Sequence, residues 1–416
     1  MAEFRPFKAL RPRSDLASKI SALPYDVYSS WEARKIVKLN PLSFLRVDRP
    51  EICLDKEVDI YSEKVYEKAR ANLLELIERE ELVEDRTKSY YIYRLVMDGR
   101  SQTGLVGLAS IDDYLEGRLK RHEYTRRDKE EDRTRHVRAT GANTGPIFLI
   151  NRKNDLLSDT LSSITSSSPV LYDFTSEDGV GHSLWKVDDS QAIATITSIM
   201  ASLDKLYIAD GHHRAAAAVN VGLEMRRLKP DYTGEEAFNY FLSVVFSEEE
   251  VHIMAYNRLV ADLKGLSKKE FLERTSEKFI INKVKYPYKP LEKYYFGMYL
   301  PGQWYELIAR EETTLSTDLL DRLDVSILQD QILKPILGIE DPRSSSRIDF
   351  VGGVRGLQEL ERRVREDMEL AFSLYPTGIW ELMEVSDRGL VLPPKSTWFE
   401  PKLRSGLFIH RLNIGE

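Results

Sequence analysis

Two runs of β-forming residues, Tyr90 to Met97 and Gln102 to Ala109, flank Asp98-Gly99. That dipeptide enters positive φ readily and favours the tight turn between antiparallel strands. A hairpin is predicted here. A second is predicted where Val170 to Phe174 and His182 to Val187 face each other across the turn-forming Ser176-Glu177-Asp178-Gly179. Around the hairpins, Val65, Ala69, Leu73, Leu76 and Ile77 recur at helical spacing within Asp59 to Glu80, and Asp155 to Ser166 and Gln191 to Leu203 read as further helices. Strands and helices alternate irregularly, not as a strict strand-helix repeat, so the predicted class is α+β with a mixed, largely antiparallel sheet.

A chain of 416 residues exceeds what one core usually supports, so more than one domain is expected. The boundary is placed near Glu248 to Glu250, giving domains 1–248 and 249–416. The second holds a helix from Lys268 to Lys278, strands around Tyr294 to Leu300 and Trp304 to Ala309, and a helical stretch through Leu319 to Ile336. The net charge of −7 argues against a nucleic-acid partner, because phosphate-backbone binding draws on clustered Lys and Arg. Cys53 is the single cysteine, which excludes an internal disulfide and sites built on several thiolates. The N-terminal residues lack the apolar run of a signal peptide, and no stretch suits a membrane span. A cytoplasmic protein is expected, with no membrane partner and with a homodimer among the assemblies open to it.

The chemistry concentrates in Asp210-Gly211-His212-His213-Arg214, between the short apolar run Lys205 to Ala209 and a helix predicted over Ala215 to Arg227. A strand-to-helix junction exposes free backbone N–H groups, and the helix dipole favours an anion there. Gly211 lets the backbone approach closely, Arg214 can fork onto phosphate oxygens, and His212 and His213 add donors. Asp210 can cap the helix, orient a hydroxyl, or hold magnesium against a phosphate. The two histidines are adjacent, without the i, i+4 spacing of a helical metal site, so no metal cage is expected from them. Lys395-Ser396-Thr397 follows two prolines and lacks the glycines of a P-loop; with Lys402 it either supplies phosphate donors from the second domain, which would close over the site, or forms a structural arm anchored by Trp398 and Phe399.

The run Ile208-Ala209-Asp210-Gly211-His212-His213-Arg214-Ala215 resembles the signature of the ParB/sulfiredoxin-like superfamily, in which this turn cradles nucleotide phosphates. Sulfiredoxins carry a cysteine in the turn, and ParB proteins a Gly-Glu-Arg-Arg turn before a helix-turn-helix; neither feature is present. Free serine kinases of the superfamily match best at this turn. The segments Leu23 to Val27, Arg121 to Arg126, Asn143 to Pro146 and Pro394 to Lys402 further resemble the prokaryotic DUF1015 family. That resemblance implies a ParB/sulfiredoxin-like catalytic core and a kinase that phosphorylates free L-serine from pyrophosphate or a nucleotide, with Mg2+ as the ion.

By the same resemblance Glu123 is the base that takes the acceptor hydroxyl proton, and Arg126 and His136 belong to the substrate site. Asn143 and Thr144 fit either a ligand loop or a plain turn into the run Ile147 to Ile150. Asp26, on the turn after Pro24, suits the serine amine, the metal, or the turn alone. Two other readings use the same turn: a ParB-like nucleotide-binding switch, and a phosphohydrolase in which water replaces serine.

Overall fold

The computed structural model describes residues 2–414. The chain divides into two units, one of residues 1–251 with 401–416 and one of residues 252–400. From the sequence, everything after residue 248 forms one domain, whereas in the structure the last stretch returns to the first unit. The reason is packing and pairing at long range. His410–Arg411 pairs antiparallel with Ala142–Asn143, and the Phe408 ring lies 5.1 Å from that of Tyr91. Full burial of such an aromatic is worth about 2–3 kcal/mol, more than a short surface segment gains elsewhere.

The first unit is built on a nine-stranded sheet. In chain order its strands are β1 (Phe4–Arg5), β2 (Tyr90–Met97), β3 (Arg100–Ser110), β4 (Leu119–Lys120), β5 (Ile147–Asn151), β6 (Tyr172–Thr175), β7 (Gly181–Val187), β8 (Leu206–Asp210) and β9 (Tyr240–Ser247). They lie in the order β4-β8-β5-β9-β3-β2-β7-β6, with β1 beside β3. Both predicted hairpins form, β2 with β3 and β6 with β7, and Asp98 and Gly99 take the positive φ values the turn needs. Only the β8–β4 and β9–β5 pairs are parallel. The sheet is mixed and mostly antiparallel, as its turn chemistry implies.

Helices α1 (Glu63–Glu78), α2 (Arg127–Thr140), α3 (Asp155–Ser167), α4 (Ser190–Ala201) and α5 (His212–Leu228) belong to this unit. Leu157, Ile196 and Ala218 from α3, α4 and α5 join Ile92, Leu105, Leu149, Ile208 and Phe241 of the sheet in one buried cluster. The other face takes Phe408 against Tyr91 and Tyr93. With both faces covered, the strands read as nearly continuous apolar runs. No helix among the described residues is long and apolar enough to cross a membrane.

The second unit carries a six-stranded antiparallel sheet in the order 279–284, 303–309, 295–300, 370–374, 256–260, 348–352. The stretch read as helical through Leu319 to Ile336 is shorter, Asp324–Leu328 running on into a π-helical turn at Gln329–Leu333. Asp324 is buried, its Oδ1 accepts from the Tyr294 N–H, and its Oδ2 has no partner among the described residues. Burial raises its pKa to about 7, although Lys293 opposes the rise. Below pH ~4 the carboxyl is neutral folded or unfolded and has no effect on stability. Above that only the unfolded chain ionises freely, so the group destabilises progressively up to pH ~7 and by a constant amount beyond. Asp324→Asn keeps the acceptor for Tyr294 and should therefore stabilise this unit at pH 8, by about 2–4 kcal/mol at most, with no gain at pH 4. Thermal unfolding of both chains at the two pH values measures it; equal melting points at pH 8 refute the account.

Candidate functional site

Two segments that carry polar chemistry leave the same end of a parallel strand pair. Strands β4 and β8 are in register with Leu119 opposite Leu206 and Lys120 opposite Tyr207. Chains leaving a parallel pair stay side by side, so His122-Glu123 emerges beside Asp210-Gly211-His212 despite its distance in sequence. His122 and His212 are both buried. Their rings meet edge to face at 4.5 Å between centroids, and the His122 ring hydrogen-bonds to the backbone of Ile208. Burial lowers the His122 pKa to about 4 and holds His212 well below the usual range, so both rings are neutral at pH 7. Glu123 is exposed, its carboxylate 4.0 Å from His212 Nδ1.

Gly211 turns the chain from β8 into α5 with φ 93 and ψ 28, a left-handed conformation that side chains with a Cβ disfavour. A Cβ there would also stand 3.1 Å from the Arg214 guanidinium, which folds back over the turn. Arg214 Nη1 donates to the Pro146 carbonyl at 2.7 Å, tying the turn to the segment that enters β5. Among the described residues no side chain caps the start of α5, so its first amides and the dipole favour an anion there. The turn itself is held from within: Gly211 N–H donates to Asp210 Oδ1 at 2.9 Å, and Lys402 Nζ lies 3.2 Å from Asp210 Oδ2. Burial pushes the Asp210 carboxyl up, but Lys402 and Arg214 outweigh it and hold it well below the usual carboxylate range.

Beside Arg214 opens a small cleft lined among others by Tyr25, Asp48, Arg133, His136, Asn143 and Thr144. Thr144 Oγ1 donates to Asp48 Oδ1 at 2.7 Å. Arg133 is buried, stacked 4.2 Å over the Tyr25 ring and paired with Asp132 at 2.7 Å. His136 Nε2 donates to the Val47 carbonyl at 2.8 Å, which fixes its ring in the wall. Asn143 Oδ1 accepts from the Leu242 N–H. The cleft thus places the buried Asp48 carboxylate near the buried Arg133 guanidinium, whose charge Asp132 balances.

Of the candidates read from sequence, Asp210, Gly211, His212, His213, Arg214, Glu123 and Lys402 gather around the turn, and His136, Asn143 and Thr144 line the cleft. Arg126 and Asp26 stand outside it. The Arg126 guanidinium pairs with Asp128 at 2.8 Å, while its backbone N–H donates to His213 Nε2 at 3.0 Å. Asp26 is exposed on its turn. Lys395 and Ser396 are engaged within the second unit: Lys395 sits over the Tyr256 ring and Ser396 Oγ donates to the Pro393 carbonyl. Thr397 precedes Trp398–Glu400, which pairs with His252–Met254 of the same unit. Asp48, Arg133 and His122 were not among the expected site residues. Asp48 has no local signal, and Arg133 lies in a charge-rich run that resembles a solvated helix face.

Two sets of residues could hold a metal. Magnesium takes oxygen ligands, and Asp210 offers them, but both its oxygens already have partners in Gly211 and Lys402. A magnesium ion there would have to replace Lys402. His122, Glu123 and His212 form the other set, with one ligand atom from each lying within 4.8 Å of the rest. The adjacency of His212 and His213 gave no hint of it, because the second imidazole comes from another strand end.

The first unit is a mixed α+β fold in which a glycine turn leads from a strand into a helix. The chain belongs to the DUF1015 family, described as a protein of unknown function, whose model matches residues 4–326. No curated protein matches it. Among solved structures it is similar to a free serine kinase variant in complex with AMP, at 14% identity and TM-score 0.36, covering 72% of this chain and 91% of that one. A conserved hypothetical protein from Pyrococcus furiosus gives 14% and 0.33 over 72% and 93%. SbnI with a C-terminal truncation from Staphylococcus aureus gives 10% and 0.40 over 75% and 90%.

Proposed function

We propose that the first unit is a phosphotransferase that moves a phosphoryl group from pyrophosphate or a nucleotide to the hydroxyl of free L-serine, giving O-phosphoserine. The observation that carries the reading is the juxtaposition of the uncapped Gly211 turn with Glu123 on one side and the Asp48–Arg133 cleft on the other. The turn and Arg214 take the donor phosphates. Asp48 and Arg133 suit the amine and carboxylate of the acceptor, and Glu123 suits its hydroxyl proton. Magnesium would neutralise the donor phosphates, with Asp210 exchanging Lys402 for it.

Phosphorus NMR of the protein with Mg2+, serine and in turn ATP, ADP or pyrophosphate tests the proposal. The expected result is a new phosphomonoester resonance that requires serine and is abolished in Arg214→Ala. Orthophosphate released without serine would make the protein a phosphohydrolase. Nucleotide binding with no turnover would favour a switch.

A further inference from the structure

We infer that His122, Glu123 and His212 form a binding site for a divalent transition metal of the borderline class, such as Zn2+, Fe2+ or Co2+. The site goes beyond the serine kinase reading; it shares Glu123 with that reading but needs neither serine nor a phosphoryl donor to be seen.

Three observations converge. First, the donor set is right: two imidazoles and one carboxylate, with ligand atoms mutually within 4.8 Å. Around a tetrahedral ion with bonds of roughly 2.0–2.2 Å, neighbouring ligand atoms stand about 3.3–3.6 Å apart, so the cluster needs closure on the order of 1 Å, toward which Glu123, on an exposed loop, can move. Second, buried imidazole nitrogen is available. His212 is 4% exposed, its Nδ1 stands 4.0 Å from the Glu123 carboxylate, and its other nitrogen, Nε2, has no hydrogen-bond partner among the described residues. An orphaned polar atom inside a protein costs about 1–3 kcal/mol and calls for a partner. Third, the outer shell is in place: the His122 ring hydrogen-bonds to the Ile208 backbone, the kind of contact that orients ligating histidines.

The chemistry of the set selects the ion. Imidazole suits zinc, iron, cobalt or nickel, whereas magnesium, calcium and manganese prefer oxygen ligands. Three protein ligands leave coordination positions open, and the exposure of Glu123 places them toward solvent, beside the uncapped end of α5. An ion here would therefore stand next to any anion held by that turn, as a second positive centre besides Arg214.

The test uses the full chain, stripped of metal with a chelator that is then removed, and titrated with Co2+ alone, followed by visible absorption. Elemental analysis gives stoichiometry. The expected result is one ion per chain, displaced by Zn2+ and not by Mg2+. His122→Ala and His212→Ala should each weaken binding by at least about 100-fold, above the roughly 10- to 100-fold typical for loss of an outer-shell partner. The two histidines are buried, and their variants could lose the fold, so Glu123→Gln is the companion: it is exposed, should keep the melting temperature, and should weaken Co2+ by at least tenfold. Absence of Co2+ binding overturns the inference, as does binding that Glu123→Gln leaves unchanged. Failure of serine phosphorylation leaves this titration untouched, and a silent titration leaves the phosphorus NMR result untouched.

Discussion

Glu123→Gln is expected to keep donor and serine affinity while losing about 100- to 10,000-fold in turnover, the range that removal of a general base typically costs. The amide has the shape of the carboxylate and cannot accept the hydroxyl proton. Because Glu123 is exposed, on the loop that follows β4, its loss removes no packing and should leave the melting temperature unchanged. A fall in turnover at constant Michaelis constants for serine and donor therefore reads as chemistry. If the same variant also loses Co2+, the carboxylate serves the ion as well, and adding excess metal should restore part of the rate. Near-normal turnover at all metal concentrations would remove Glu123 from the reaction.

Local chemistry made part of this molecule legible in its sequence. Asp98-Gly99 announces its hairpin because two adjacent residues determine the turn. Gly211 announces the strand-to-helix turn for the same reason, since strand, glycine and helix follow each other within a few residues. What pairs across long distances stayed hidden. The return of 401–416 to the first unit depends on Phe408 meeting Tyr91 and on His410 pairing opposite Asn143, neither of which any nearby residue encodes. The cleft shows how composition misleads: Arg133 sits in a run of alternating charges that suggests solvent, yet Asp132 and the Tyr25 ring neutralise and cover it, so it is buried. Arg126, in the same run, turns instead to Asp128.

The first unit should lose a large part of its stability between pH 7 and pH 5.5, through its histidines. Five of the seven in the chain, His122, His136, His182, His212 and His410, are buried in this unit with lowered pKa. Burial is the main cause in each, and at His182, which falls to about 3, the neighbouring Arg404 adds to it. A histidine whose folded pKa is depressed stabilises the fold fully above its unfolded pKa of ~6.5, and loses that contribution as pH falls toward the folded value. At pH 5.5 an unfolded imidazole gains about 1 kcal/mol by binding a proton that the folded one excludes, so His122, His182 and His410, which fall to about 3–4, together cost about 3–4 kcal/mol, and His136 and His212 act in the same direction. That is a large part of the whole stability of many domains, about 5–15 kcal/mol. Asp113 and Glu250, raised by burial, act in the opposite direction, but carboxyls titrate mainly below this window and offset little of the loss. Urea unfolding with a chelator present, so that no ion holds His122 and His212 deprotonated, should show the midpoint falling steeply over this range. At least about three protons should be taken up per chain unfolded near pH 5, from His122, His182 and His410. A midpoint that stays level from pH 7 to pH 5.5 would mean that these imidazoles are already accessible to protons in the folded chain.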